Sequence, residues 1–296
     1  MSNATSKGIP IASAPKVASY YIQRPGHPEI EIAQVEHRIR LINLWNIEPG
    51  AHVLELGCGQ GLTTAVLAES VGPSGHIDAV DPAALDYGAP FTLSQAQDYL
   101  SASPVGDRVS WHQATPQGLL TATDPVWDVA VLSHCIWYFD SEQALKEVLR
   151  GLKGRVKRLC IAEYALQATE KAAIPHVLAV LARGSLESCK AETEQNVRSP
   201  LSPSAIKSMA EKSDWMCTQE SFVIPEVGLL DGSWEVGSVV RDRFLREVED
   251  VGPNEKLRIV ISSARDATIA AVNALQEAKV QTMDVWVAAF APSVPP

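Results

Sequence analysis

Three glycines fall within five positions, Gly57, Gly59 and Gly61, directly behind the apolar run "HVLEL" at 52–56. A run of strand formers that ends in a glycine-rich turn and passes into "GLTTAVLAESV" (61–71) reads as strand, loop and helix. "HIDAVD" (76–81), after a Gly-Pro-Ser-Gly turn, reads as a second strand and completes a βαβ unit. A turn of this kind sets bare backbone N–H groups and a helix N-terminus against a ligand. Dinucleotide sites use G-x-G-x-x-G, so that a pyrophosphate sits on the helix dipole. Here the spacing is G-x-G-x-G, with Glu55 two residues ahead of the first glycine. An acid there repels a pyrophosphate and suits a cationic amine. An amino acid conjugate is therefore favoured over NAD, and a nicotinamide-dependent dehydrogenase is the rival reading.

The alternation continues. A helix around "SQAQDYLSA" is followed by strands at 109–114 and 127–133, a helix at 141–153 and a strand at 158–165. Strands apolar nearly throughout, separated by amphipathic helices, imply a parallel sheet covered on both faces. Upstream, Ile32, Val35, Ile39, Ile42 and Trp45 recur at helical steps across 29–46. Downstream, helices are expected at 168–192, despite Pro175, at 202–213 behind a Ser-Pro cap signal, and over 255–279. Strands are expected at 216–224 and 284–291. Residues 1–16, small, polar and Pro-containing, read as a flexible arm, 17–291 as one domain and 292–296 as a tail.

A chain of 296 residues, 46% apolar, has ample material for a buried core. Its net charge of −10, with Lys and Arg scattered, lacks the footprint that tracks nucleic-acid phosphates. No apolar run is long enough for a bilayer span, so no membrane partner is expected. Five unclustered cysteines, with no C-x-x-C pair and no zinc spacing, read as reduced thiols of a cytoplasmic protein. No feature of the sequence sets an oligomeric state.

The run "NIEPGAHVLELGCGQG" followed by "GHIDAVDPA" resembles the first motifs of the class I S-adenosylmethionine-dependent methyltransferases, over roughly residues 30–166. The resemblance implies a Rossmann-like α/β fold: a seven-stranded sheet of order 3-2-1-4-5-7-6 with the last strand antiparallel. It implies S-adenosylmethionine as cofactor and S-adenosylhomocysteine as product. Gly57, Cys58, Gly59, Gln60 and Gly61 would pass under the methionine and ribose, and Glu55 would face the ammonium group. Asp81, followed by Pro82, would grip both ribose hydroxyls, as a carboxylate can. Asp78 is the rival acid, but lies inside its strand. Where many members carry an acid for the adenine amine, this chain has Thr115 and Pro116.

The sulfonium methyl is already activated, so the protein has mainly to align a nucleophile and exclude water. "LSHCIWYFD" (132–140) leaves strand four beside the reactive methyl in this fold, with Ser133 and His134 bordering the cofactor and Trp137 and Tyr138 offering an aromatic wall. His134 is the candidate general base, a buried structural histidine being the competing reading. Glu163, at the end of strand five, is the alternative base or a helix cap, and Tyr164 beside it is a candidate for orienting substrate. No acid cluster suited to a metal forms there, so no metal is expected. Insertions at about 167–201 and 229–280 should roof the cleft, bringing Asn196 and Arg198 to the substrate, with Tyr21 closing from the other side. The expected activity is methyl transfer to an O, N or S atom of a small molecule. The alternative is a cofactor-binding scaffold without transfer activity.

Overall fold

A computed structural model of the chain describes residues 8–122, 126–190, 193, 195–251 and 254–293. In chain order its elements are α1 (Ala14–Ala18), α2 (Pro28–Trp45), β1 (His52–Leu56), α3 (Leu62–Val71), β2 (His76–Asp81), α4 (Leu93–Ser101), β3 (Val109–Gln113), α5 (Pro116–Ala122), β4 (Trp127–Ser133), α6 (Glu142–Gly151), β5 (Val156–Tyr164), α7 (Ile174–Glu187), α8 (Pro203–Glu211), β6 (Trp215–Val223), α9 (Asp231–Val240), α10 (Asp242–Glu249), α11 (Glu255–Asn273) and β7 (Val285–Pro292). The strands form one sheet of order 3-2-1-4-5-7-6. β7 runs antiparallel to both β5 and β6, and the other pairings are parallel. This is the Rossmann-like α/β architecture expected from the sequence.

Side-chain alternation along β1 explains the two core layers. Val53 packs with Val35, Ile39 and Ala65 on the α2 and α3 face, while Leu54 and Leu56 pack with Leu145, Leu149 and Ile206 on the α6 and α8 face. Local signals start the covering helices. The Thr92 and Gln95 side chains form a capping box for α4, and the Ser141 and Ser202 hydroxyls accept the N–H of Ala144 and Ala205 to open α6 and α8.

Parallel register fixes where the site must lie. Leu56 of β1 sits beside Val80 of β2 and Leu132 of β4, and Ser133 sits beside Ala162 of β5. The turn after β1, Asp81 after β2, His134 after β4 and Glu163 of β5 therefore meet at one edge of the sheet. The strand order reverses between β1 and β4, which is where open α/β sheets bind ligands.

Several boundaries differ from the expectations. The arm does not extend to residue 16: Asn43 clamps the Ile9 backbone through two hydrogen bonds, and Ala14 and Val17 are fully buried. Residues 1–7 and 294–296 lie outside the described residues, and Ser293 is tied to Asp214 by a backbone hydrogen bond. The helix expected over 168–192 begins only at Ile174, because Pro175 lacks an N–H and is tolerated in a first turn; residues 191 and 192 lie outside the description. The helix expected to residue 279 stops at Asn273. Helices α9 and α10 pack with α7 and α11 around Val236, Phe244, Val248 and Ile261, so the two insertions share an apolar core. No helix among the described residues is long and apolar enough to cross a membrane.

Candidate active site

All three loop glycines have positive φ: +75° at Gly57, +52° at Gly59 and +90° at Gly61. Their surroundings differ. A Cβ on Gly57 would stand 2.5 Å from Cys135 Cβ, and one on Gly61 2.6 Å from Trp111 Cη2, whereas one on Gly59 would meet nothing within 4 Å. Two of the glycines are demanded by packing as well as backbone, and Gly59 is the bare position. Around it, Asp81 Oδ2 accepts the Gly59 N–H at 2.8 Å and Oδ1 accepts that of Ala83 at 2.9 Å. The Gln97 amide donates to the Gly59 carbonyl at 2.9 Å. Tyr21 covers the loop by donating its hydroxyl to Gln60 Oε1 at 2.7 Å, and Gln60 in turn donates to the Phe91 carbonyl.

Glu55 is 2% exposed and takes a 2.6 Å hydrogen bond from Thr64. Burial pushes its carboxyl up to about 7. Cys58 is buried and its thiol is raised. Pro82 is exposed beside Asp81. Thr115 is exposed and its hydroxyl accepts the Gly118 N–H at 3.0 Å, while Pro116 is buried as the first residue of α5. A small cleft between Asp81, Leu85, Leu93, Gln97, His112 and Gln113 continues the line from the loop.

At the ends of β4 and β5, Glu163 is 1% exposed and anchored by the backbone N–H of Ile136 (2.9 Å) and Tyr164 (3.0 Å). His134 adopts φ +53°, a conformation few non-glycine residues hold, with its N–H on the Ala162 carbonyl. Its Nδ1 stands 3.7 Å from Glu163 Oε1, and its Nε2 is 3.1 Å from Nε2 of His37. The Tyr164 ring lies 4.5 Å from that of His134, and its hydroxyl donates to Asp231 Oδ1 at 2.7 Å. Gln34 donates to the other Asp231 oxygen at 2.6 Å and accepts from Arg38 at 2.5 Å. Burial with Asp231 nearby pushes the Glu235 carboxyl up to about 7.

The expected residues are therefore brought together unevenly. His134, Glu163, Tyr164 and the buried Ser133 share one centre. Trp137 is buried with its ring 5.4 Å from that of Tyr164; its indole N–H donates to the Leu201 carbonyl, and its own carbonyl receives the N–H of Arg198 and Ser199. Tyr138 is 42% exposed. Asn196 meets Tyr87 at 3.5 Å, bridging the insertion to the loop after β2. Arg198 turns its guanidinium to Asp140 on the wall of a separate surface cavity. Residue 194 of the same insertion lies outside the described residues.

Three residues of α2, Gln34, His37 and Arg38, and Asp231 of α9 escaped the sequence reading. Their signal was present: 34, 37 and 38 follow helical spacing beside the apolar stripe, and buried polar side chains on that face need partners. Arg38 Nε, Ser133 Oγ, His37 Nδ1 and His134 Nδ1 are buried without a hydrogen-bond partner. No group of three His, Cys, Asp or Glu among the described residues is placed to hold a metal.

The sequence pattern of a family described as a methyltransferase domain matches residues 53–155. Methyltransferase phomM' of Diaporthe leptostromiformis is 28% identical over 278 residues, covering 79% of this chain and 72% of the relative. A demethylmenaquinone methyltransferase of Lactiplantibacillus plantarum is 31% identical over 117 residues, 39% of this chain and 46% of the relative. Among solved structures, a cyclopropane-fatty-acyl-phospholipid synthase-like protein from Lactobacillus casei superposes with a TM-score of 0.83 at 26% identity, covering 95% of this chain and 99% of the other.

Proposed function

We propose that this chain, which belongs to the class I S-adenosylmethionine-dependent methyltransferases, moves a methyl group to an oxygen, nitrogen or sulfur atom of a small molecule by direct displacement. The observation that carries the cofactor assignment is Glu55. Glu55 is buried with the Thr64 hydroxyl as its hydrogen-bond partner, and although Arg38 lies within electrostatic range no cation among the described residues touches it; burial outweighs both and pushes its pKa up to about 7. It lies at the exit of a strand whose next turn leaves Gly59 bare.

In this reading Glu55 takes the ammonium end of the cofactor and Arg38, whose Nε is otherwise unpartnered, its carboxylate. Asp81 takes the ribose hydroxyls while still holding the Gly59 N–H. The cleft lined by Leu85, Leu93, His112 and Gln113 takes the base, with Thr115 and Pro116 at the end of β3. Tyr21 and Gln60 close over the loop. Bound there, the cofactor supplies an electrophilic methyl whose S–C bonding pair returns to sulfur on transfer.

Ser133, His134, Glu163 and Tyr164 border the transfer position and orient the acceptor. Two insertions with a shared apolar core roof the crevice and exclude water. A net charge of −10 offers no footing for a phosphate backbone, which supports a small-molecule acceptor. Five free thiols suit a reducing cytoplasm.

Calorimetric titration with S-adenosylhomocysteine tests the cofactor reading. Asp81→Ala should weaken binding by roughly 1.5–3 kcal/mol, the range for hydrogen bonds to a charged group; equal affinity counts against the ribose role. Transfer of labelled methyl to a panel of small amines, phenols and thiols tests the reaction. Tight cofactor binding with no labelled product in any class would point to a scaffold.

A further inference from the structure

His37 of α2 and His134 after β4 meet beside Glu163 and Tyr164, and the tautomer each must hold decides which nitrogen is free to take a proton. The Nε2 atoms of His37 and His134 are 3.1 Å apart, so a single proton lies between them, one ring donating and the other accepting. Glu163 decides which. Its carboxylate, fixed by two backbone N–H groups, stands 3.7 Å from His134 Nδ1, within ion-pair reach, and a carboxylate favours an N–H on the nitrogen that faces it. His134 is then protonated at Nδ1 and offers its Nε2 lone pair. His37 must donate its Nε2 proton, which leaves a bare lone pair on Nδ1. That atom is buried, without a hydrogen-bond partner, on the helix that also carries Gln34 and Arg38.

Resting on the methyl-transfer reading above, we infer that His37 Nδ1 is the atom that takes the acceptor's proton, and that His134 and Glu163 are positioning residues behind it. The acceptor is accordingly a proton-bearing nucleophile, an alcohol, a phenol or an ammonium, and not a thioether. The proton leaves the acceptor heteroatom for His37 Nδ1, and the pair that bonded it stays on the heteroatom for the new bond to carbon. The charge gained by His37 is shared along the relay: its Nε2 proton moves toward His134 Nε2 as the His134 Nδ1 proton moves toward Glu163. The left-handed backbone of His134, at φ +53°, is strain of the kind that persists where the surroundings over-determine a position. Burial keeps His37 neutral, its pKa held well below the ordinary histidine value by desolvation and by the neighbouring His134, Arg38 and Arg40, so its ring carries a lone pair at neutral pH.

Imidazole nitrogen–proton correlation spectra of the full chain, labelled at histidine and saturated with S-adenosylhomocysteine, read the tautomers directly. His37→Gln and His134→Gln spectra assign the two rings. The expected result is His37 protonated at Nε2 and His134 at Nδ1; the opposite pair of tautomers overturns the inference. Glu163→Ala should scramble both tautomers, and unchanged spectra would remove Glu163 from the relay. Any amine or phenol of the panel that the unaltered chain methylates should be methylated about a hundredfold more slowly by His37→Gln, at equal S-adenosylhomocysteine affinity. Equal rates overturn the assignment. Failure to bind S-adenosylhomocysteine at all would sink the cofactor reading while leaving the tautomers as a separate result.

Discussion

Adding a methyl group at each loop glycine separates what the turn needs for folding from what it needs for binding. Alanine at Gly57 or Gly61 combines a left-handed backbone with collision against Cys135 or Trp111, and should cost roughly 2–5 kcal/mol of stability in denaturant unfolding. Alanine at Gly59 incurs the backbone strain alone, roughly 1–2 kcal/mol, yet its methyl projects into the open space and should abolish S-adenosylhomocysteine binding. The reverse ranking would mean the cofactor lies elsewhere. Glu55 yields a prediction with a definite sign. Its folded pKa is about 7 against an ordinary 4.5, so between those values the folded chain holds a proton that the unfolded chain has lost. Ligand-free stability therefore falls as pH rises through that window, by about 3 kcal/mol in all. A bound ammonium favours the ionised carboxylate, so binding releases the proton. Affinity for S-adenosylhomocysteine should rise roughly tenfold per pH unit up to about pH 7 and then level off. Titrations across that range should show it, and Glu55→Gln should flatten the curve. The glycine spacing and Glu55 were legible in the sequence because a turn is a local object. That Gly57 is reserved for Cys135, 78 residues away, was not.

Among the elements, α7 depends on a buried ion cluster. Arg183 pairs with Glu187 at 3.2 Å and Glu247 of α10 at 2.8 Å, and donates to the Ser238 carbonyl at the end of α9. Lys190 reaches the same two carboxylates. Glu187 and Arg183 are both 3% exposed, so Arg183→Ala leaves a buried carboxylate with one partly exposed partner. A loss of about 3–5 kcal/mol is expected. Chemical unfolding followed by circular dichroism measures it, and a loss under about 1 kcal/mol would mean that Lys190 alone compensates. Periodicity exposed the strands and the long helices because each repeats its own pattern. It missed α9, an element carrying Gly232 and Gly237, and the eight-residue α10, whose apolar positions only make sense against α7 and α11. α2 showed its apolar stripe, while Gln34, His37 and Arg38 went unread: their helical spacing beside that stripe was visible, but the partner that buries them, Asp231 of α9, was not.

At the scale of the whole molecule, strand order and roof together decide how a ligand enters. The order 3-2-1-4-5-7-6 came from resemblance to a family, since no pattern within a strand records its neighbour. Once it is in place, both insertions leave the same sheet edge and share one apolar core, the roof of the proposed reading. Asp231 is the point at which α9 is fastened to the sheet and to α2, other hydrogen bonds tying that helix to Thr282 and Val280. One oxygen takes the Tyr164 hydroxyl of β5 and the other the Gln34 amide of α2, so a single carboxylate joins roof, sheet and N-terminal helix. Central strands of a sheet open only with global unfolding, whereas a helix packed outside the sheet can open locally. Asp231→Ala removes two charge-assisted hydrogen bonds, each worth about 1.5–3 kcal/mol, so amides across α9 should exchange with solvent at least tenfold faster. Amides of β1 and β4 should keep their rates. Acceleration spread evenly over α9 and the sheet would show that the roof and the sheet unfold as one unit, and that ligand entry follows some other path than the parting of α9 from Tyr164 and Gln34.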